Sequence, residues 1–452
     1  MRRSKWLWMD AVWLLALAVY ILAGMMLATF HGDEAMQIYM SHDYATVFID
    51  HNPSSLMVNP PYDIDNDPWL RILNGSVNRY AIGLSWQLAG LNTGMLPPRP
   101  GWDWGLEYDT NVATGHLPPE NLLAAARISS TLFLVMSVVA IFGIGWQFGG
   151  RLPAYFISGL YALNPIILLN GRRAMMEGSM LGFGLLTIWL AILISRGKTR
   201  WYWWVLLTLS GGLTLASKHT GILFVGGALG WIGLTELVRY FRRSSDKSET
   251  ITAKRLASTF AKLIVSGIIT LLMFIALSPA LWNDPVARLG DLITERQFLL
   301  DIQVASNPAA PTTLTQRLEG IVTQPFMTPP VHYEVDFWAK AAAITSEIQT
   351  YMNSPLSGLQ FGILIGLPLT LLAGIGLIVI LLNRDLWGIL PWLLLTLASL
   401  FANPLPWQRY YLPWLPVATI LAGIGMVTLV QFVQKRLQPQ SPLVSSANVP
   451  QT

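Results

Sequence analysis

The chain has 452 residues, of which 53% are hydrophobic and only 12% charged, and its mean hydropathy is +0.47. Soluble domains carry about 25% charged residues, so this composition excludes an ordinary water-soluble globule and points to a polytopic membrane protein. There are no cysteines, which removes disulfides, thiolate nucleophiles and cysteine-held metals, and a net charge of +4 is too small to mark a nucleic-acid surface.

In chain order, "MRRSK" opens a run that stays apolar to about residue 30. That is longer than a signal-peptide core, and no A-x-A cleavage pattern follows. Residues 1–30 therefore read as a retained first span with its N-terminus inside. Residues 31–120 are polar and rich in Pro and Trp, with no stretch long enough to cross. Six spans are expected in 121–282, at 121–148, at a third segment ending near 170, and at 175–194, 201–217, 220–237 and 263–282. A second polar segment occupies 283–356, three more spans fall in 357–434, and the Pro-, Ser- and Gln-rich tail 435–452 reads as disordered. No inverted repeat or pair of Pro- or Gly-broken spans of the transporter kind is visible.

Charge sets the orientation. With the N-terminus inside, the inner segments contain "RRSK", "GGR", "RGKTR", "RYFRR", "NRD" and "QKR", as the positive-inside rule expects. Ten spans then put both termini in the cytoplasm and both long loops outside. "WLW", "WYWW" and "RYYLPW" fit interfacial aromatic belts.

Ionisable residues near a membrane are costly and tend to be functional. In this topology Asp33, Glu34, Arg127, Arg172, Arg173, Glu177, Lys218, His219, Arg409 and Tyr410 all fall at outer span ends. Each also has an ordinary reading. Arg173 and Glu177 are four apart and can pair on a helix face, and Lys218 can snorkel to headgroups. "NGS" at 74–76 is a glycosylation sequon of a kind common by chance. Asp43 reads as an ordinary loop charge. The six histidines show no metal spacing, and "GGLTLASKHTG" lacks the Gly before Lys that a phosphate loop needs.

Five stretches together resemble the GT-C fold glycosyltransferases that use polyprenyl-phosphate sugars. The likeness is to the superfamily of protein O-mannosyltransferases and lipid A aminoarabinose transferases (glycosyltransferase family 39-like). They are "HGDEA" (31–35), "LLAAARISSTLF" (122–133) with the segment 149–186, "GGLTLASKHTGILF" (211–224), "SPALWNDPVARL" (278–289) and "PWQRYYLPWLP" (406–416). Each is weak alone, and their order carries the likeness. The family's His-Pro-Pro element has no clear counterpart: "VNPPYD" (58–63) or "NGSVNRY" (74–80) stands in its place. Glu177 occupies a position where relatives usually have Asp, and the second external loop shows no likeness.

The resemblance implies an all-α membrane protein with about ten transmembrane helices and two long external loops carrying short helices. It implies an inverting hexosyl- or pentosyltransferase that moves a sugar from a polyprenyl-phosphate donor to an acceptor hydroxyl of a protein, lipid or glycan. The site would lie on the external face of a plasma membrane, and the short inter-span loops point to a prokaryote. Asp33 would be the base, and Glu34 would orient it or bind sugar hydroxyls. Lys218, with Arg172 or Arg173 and Arg409, would hold the donor phosphate, with Glu177, His219 and Tyr410 in support. No cofactor is implied, although a metal-assisted variant would use Glu34, Glu107 or a histidine. A transporter or lipid flippase without transferase chemistry is the alternative from another class, and a structural membrane subunit is a second.

Overall fold

Lipid offers the backbone no hydrogen bonds, so a crossing segment must satisfy its own N–H and C=O groups. Among the described residues the chain answers with helices alone, and no strand is present. The computed structural model describes residues 2–64, 66–244, 253–306, 312–334 and 341–437. Residues 245–252 of the basic loop and the tail from 438 on, expected to be disordered, lie outside the described residues.

The first apolar run forms α1 (Arg2–Ala23). The first polar segment carries α2 (Gly32–Met40), α3 (Asp67–Leu73) and α4 (Ser76–Leu88). Then come α5 (Glu120–Gln147), α6 (Arg151–Ala162), α7 (Pro165–Arg172), α8 (Met176–Ser195) and α9 (Trp201–Ser217). They are followed by α10 (Ile222–Ser244) and α11 (Ala253–Leu277). The second polar segment carries α12 (Pro285–Ser306) and α13 (Ala342–Asn353). The chain closes with α14 (Gly362–Leu382), α15 (Leu390–Ala402) and α16 (Trp414–Leu437).

All ten expected spans are helical. By length and composition, seven helices of the described residues can cross a bilayer, and a bent pair makes an eighth. The two that fall short are α1, apolar only over Leu7–Ala23, and the 17-residue α9. The chain is a multi-pass membrane protein.

The third span differs from the expectation of unbroken helices: α6 and α7 meet at a 61° bend. Asn164 and Pro165 cause it. The Asn164 side chain accepts from the Ile166 and Ile167 amides and starts a new helix, with proline at its first position, where its missing N–H is harmless. The Leu163 carbonyl freed at the break accepts from the Leu359 amide at 2.8 Å, so that group is paired across to the start of the late spans.

α8 is the centre of the bundle, flanked by α5, α9 and α10, with 78% of its apolar window buried. α14 is a peripheral helix with 17% of its window buried, so most of its surface is left for lipid. Lipid tails are as apolar as leucine, so packing rather than hydrophobicity must hold α14. Gly376 of α14 and Gly425 of α16 provide that packing. A Cβ at either would lie 2.0 Å from a carbonyl of the facing helix.

The two long polar segments meet one another. Trp69 of α3 donates its indole N–H to Glu295 of α12 at 3.0 Å, and the Tyr62 hydroxyl donates to Asp291 at 2.8 Å. Asp43 proves to be a buried anchor rather than a loop charge: Arg71 reaches it at 2.8 Å and Arg79 at 3.3 Å. The sequon asparagine Asn74 is also buried, donating to the Leu70 carbonyl and accepting from Gln37. It is not placed to receive a glycan.

Candidate active site

The "HGDEA" stretch is first a helix start. His31 is the N-cap of α2: its ring Nδ1 accepts from the Asp33 amide at 3.1 Å, while Glu34 accepts from the His31 amide at 3.1 Å. This is a capping box with histidine in place of the usual Ser or Thr. It turns Glu34 inward and leaves Asp33 on the open side.

Glu34 is fully buried. Arg127 of α5 grips both its oxygens at 2.7 Å, and the Ala174 amide adds a third bond at 2.8 Å. No capacity remains for a sugar hydroxyl or a metal. Arg127 also donates to the Ala28 carbonyl at 2.8 Å, so the pair ties α2, α5 and the end of the first span together.

Asp33 instead lines a cavity of about 410 Å³ between the two long loops and the ends of α8, α9 and α16. It is ion-paired with Arg409, which lies in the turn Gln408–Tyr411 before α16. The Arg409 Nε also pairs with Glu334 at 2.9 Å, and Glu334 meets the His31 Nε2 at 3.1 Å. Since His31 Nδ1 is an acceptor, the ring proton sits on Nε2 and is donated to Glu334. The His31 ring stacks on Tyr333. Burial alone would push both carboxyls up. The Arg409 charge outweighs it, holding Asp33 below the usual carboxylate range and Glu334 far below, while the two carboxylates raise Arg409 against its own burial.

A second pair lines the same cavity. Lys218, in the extended link after α9, donates to Glu177 in the first turn of α8. The other Glu177 oxygen, Oε2, is buried and has no hydrogen-bond partner. Tyr410 lines the cavity too, donates to Gln303 at 3.1 Å and stacks on Trp407.

Asp33, Glu177, Lys218, Arg409 and Tyr410 are thus brought together as expected, from parts of the chain far apart in sequence. Arg172 and Arg173 are not. Arg172 is fully buried and donates to the carbonyls of Tyr20, Ile21 and Leu356, the first two at the end of α1, where the last turn leaves carbonyls free. Arg173 holds the Thr29 carbonyl at 3.0 Å and the His332 carbonyl at 2.9 Å. Both guanidiniums are occupied by backbone and neither lines the cavity. His219 lies edge-on against Phe274 and does not line it either. Glu107 is exposed elsewhere, and among the described residues no group of three or more His, Asp or Glu could hold a metal ion.

Sequence reasoning missed two residues, Glu334 and Arg296, both from the second long loop. Glu334 pairs with His31 across 303 residues of chain, a relation no local pattern carries. Arg296 had a faint signal. On α12 it sits among Arg288, Asp291 and Glu295, a polar face alternating with exposed apolar residues. A second cavity of about 400 Å³ shares Lys218, Arg296, Gln303, Arg409 and Tyr410 with the first; the rest of its wall is mostly apolar, as at Leu223, Leu292 and Leu400, with Thr220, Gln297, Ser399 and Asn403 among it.

No family model matches the sequence, and no curated protein does. Among solved structures, the chain is similar to ArnT from Cupriavidus metallidurans bound to undecaprenyl phosphate. The TM-score is 0.53, with 11% identity over 94% of this chain and 61% of that one. It is also similar to the oligosaccharyltransferase of Archaeoglobus fulgidus in its apo form. Here the TM-score is 0.50, with 10% identity over 95% of this chain and 52% of that one. The chain therefore spans only 52% to 61% of the length of these proteins. At such identity the likeness carries the fold: the chain has the all-helical GT-C membrane fold.

Proposed function

We propose that this protein is an inverting glycosyltransferase that takes a sugar from a polyprenyl-phosphate donor at the Asp33 cavity. One observation carries the reading: a carboxylate, Asp33, held by a cation, Arg409, beside a second cation, Lys218, at the wall of one cavity. The fold is that of ArnT, solved with undecaprenyl phosphate.

In the proposed step the acceptor hydroxyl gives its proton to Asp33 as its oxygen attacks the sugar C1. The C1–O bond to phosphate breaks, and its electron pair leaves with the lipid phosphate, stabilised by Lys218 and Arg409. Attack opposite the leaving group inverts C1. A lowered pKa makes Asp33 a weak base while Arg409 holds it. A donor phosphate competes for Arg409, so donor binding itself restores the basicity of Asp33. The hydroxyl-binding role first given to Glu34 passes to the free Oε2 of Glu177. The dissociated lipid phosphate remains in the bilayer, which is why the site belongs at a membrane boundary.

The proposal includes the topology: both termini cytoplasmic, and the cavity on the external face of a prokaryotic plasma membrane. The transporter alternative expects ionisable residues near the bilayer midplane together with broken helices. The broken pair here has only Leu163 and Asn164 at its bend.

The test is transfer by purified protein in nanodiscs from a labelled polyprenyl-phosphate sugar. The proposal expects release of the lipid phosphate and a product of opposite anomeric configuration. Retention of configuration, or no turnover with any acceptor fraction from the native envelope, would remove it.

A further inference from the structure

α12 carries a charge that no other described residue answers. Arg296 is half-buried, lines both cavities, and makes no hydrogen bond or ion pair with any described residue. Its helix neighbours are committed: Asp291 to Tyr62 and Arg288, Glu295 to Trp69, and Gln303 to Tyr410. The other cations of the cavity walls are committed too, Lys218 to Glu177 and Arg409 to Asp33 and Glu334.

This inequality decides where an anion binds first. At Lys218 or Arg409 it must share or displace a carboxylate, and at Arg296 it displaces nothing. A partly desolvated guanidinium without a partner is unfavourable, and an incoming anion relieves that cost. The guanidinium fork also matches phosphate oxygens in pairs, which an ammonium cannot do. Arg296 is close enough to Lys218 and Tyr410 to act on both electrostatically.

Its position adds a second argument. The first cavity sets Trp69, Trp104 and Trp407 among aliphatic residues such as Met36, Leu70 and Ile302, while among the described residues the second has no aromatic wall beyond the shared Tyr410 and is mostly apolar, with Leu223, Leu292 and Leu400. A ligand filling both would have an apolar chain, a ring-like polar head and an anionic joint where the cavities share residues. We infer that Arg296 binds the phosphate of the lipid-linked donor and makes the first contact with it, before the phosphate competes with Asp33 for Arg409. The inference rests on the transferase reading above and adds to it a residue from the loop that showed no family likeness.

The experiment measures binding of undecaprenyl phosphate, undecaprenol and inorganic phosphate to the full chain in zwitterionic nanodiscs. Loss of a charge-assisted bidentate contact predicts about 10- to 100-fold weaker undecaprenyl phosphate binding by Arg296→Gln, with Arg296→Lys in between. Undecaprenol binding and the melting temperature should not change, because Arg296 holds nothing else. Undecaprenyl phosphate affinity in Arg296→Gln equal to wild type, while Lys218→Ala loses it, would overturn the inference and leave the transferase reading standing. A melting temperature lowered by several degrees would show a structural role and overturn it as well. Inorganic phosphate binding as tightly as the lipid would assign the site to a free anion instead. No binding of undecaprenyl phosphate by wild type would overturn the inference together with the reading beneath it.

Discussion

The carboxylate of Glu34 is met by Arg127 and by the amides of Ala174 and His31, while that of Asp33, one residue earlier, meets Arg409 at the wall of a cavity. The same contrast divides the arginines. Arg127, Arg172 and Arg173 are spent on carbonyls and on Glu34 beneath the site, whereas Arg409, Lys218 and Arg296 face open space. A buried ion pair fixes helices; an ion pair at a cavity wall can be exchanged for a ligand. Charge at a span end therefore says little by itself, and what the opposite partner is says a great deal.

That contrast can be broken from either side. The largest effect on stability is expected at the inner layer. Glu34→Ala leaves the Arg127 guanidinium buried without its counter-charge, which costs about 3–5 kcal/mol. Thermal unfolding in detergent should show it, and a wild-type melting temperature would remove the structural role of Glu34. Arg172→Ala strips a charged donor from three carbonyls, two of them at the end of α1, and should cost about 2–3 kcal/mol. Donor affinity measured on the protein that remains folded should not change; a specific loss of affinity would return Arg172 to the site.

A smaller effect separates the outer layer by pH. In wild type, Arg409 keeps the Asp33 pKa below its ordinary 3.8, so the acid limb of kcat/KM falls below that pH. In Arg409→Gln the opposing burial prevails and the Asp33 pKa rises. The acid limb should then move upward. A limb that stays put, or moves to lower pH, would separate Asp33 from the titration that governs turnover.

Much of this was legible in the sequence. Apolar runs of about 20 residues fixed the order of the helices, because lipid leaves the backbone no alternative. Asp33, Glu177, Lys218, Arg409 and Tyr410 come together at one cavity because motifs at span ends converge when helices stack. The bend at Asn164–Pro165 was written in a cap and a proline, yet it was hidden inside an otherwise continuous apolar stretch. Arg172 and Arg173 were misplaced because sequence gives position along a helix end but not which backbone carbonyls lie opposite. Glu34 was misjudged for a related reason: Arg127 is 93 residues away, and nothing in "HGDEA" reveals it. Glu334 and Arg296 lie in a loop without a motif, where only the folded contact with α2, α3 and the α16 entrance gives them meaning.

The central claim is that Asp33, not its buried neighbour, takes the acceptor's proton. The most direct measurement is the initial rate of sugar transfer from a polyprenyl-phosphate donor by Asp33→Asn, with donor binding and melting temperature recorded on the same preparation. The account predicts a rate lower by about 10²- to 10⁴-fold, with donor still bound and the fold intact. A rate close to wild type in a folded, donor-binding Asp33→Asn protein would contradict it.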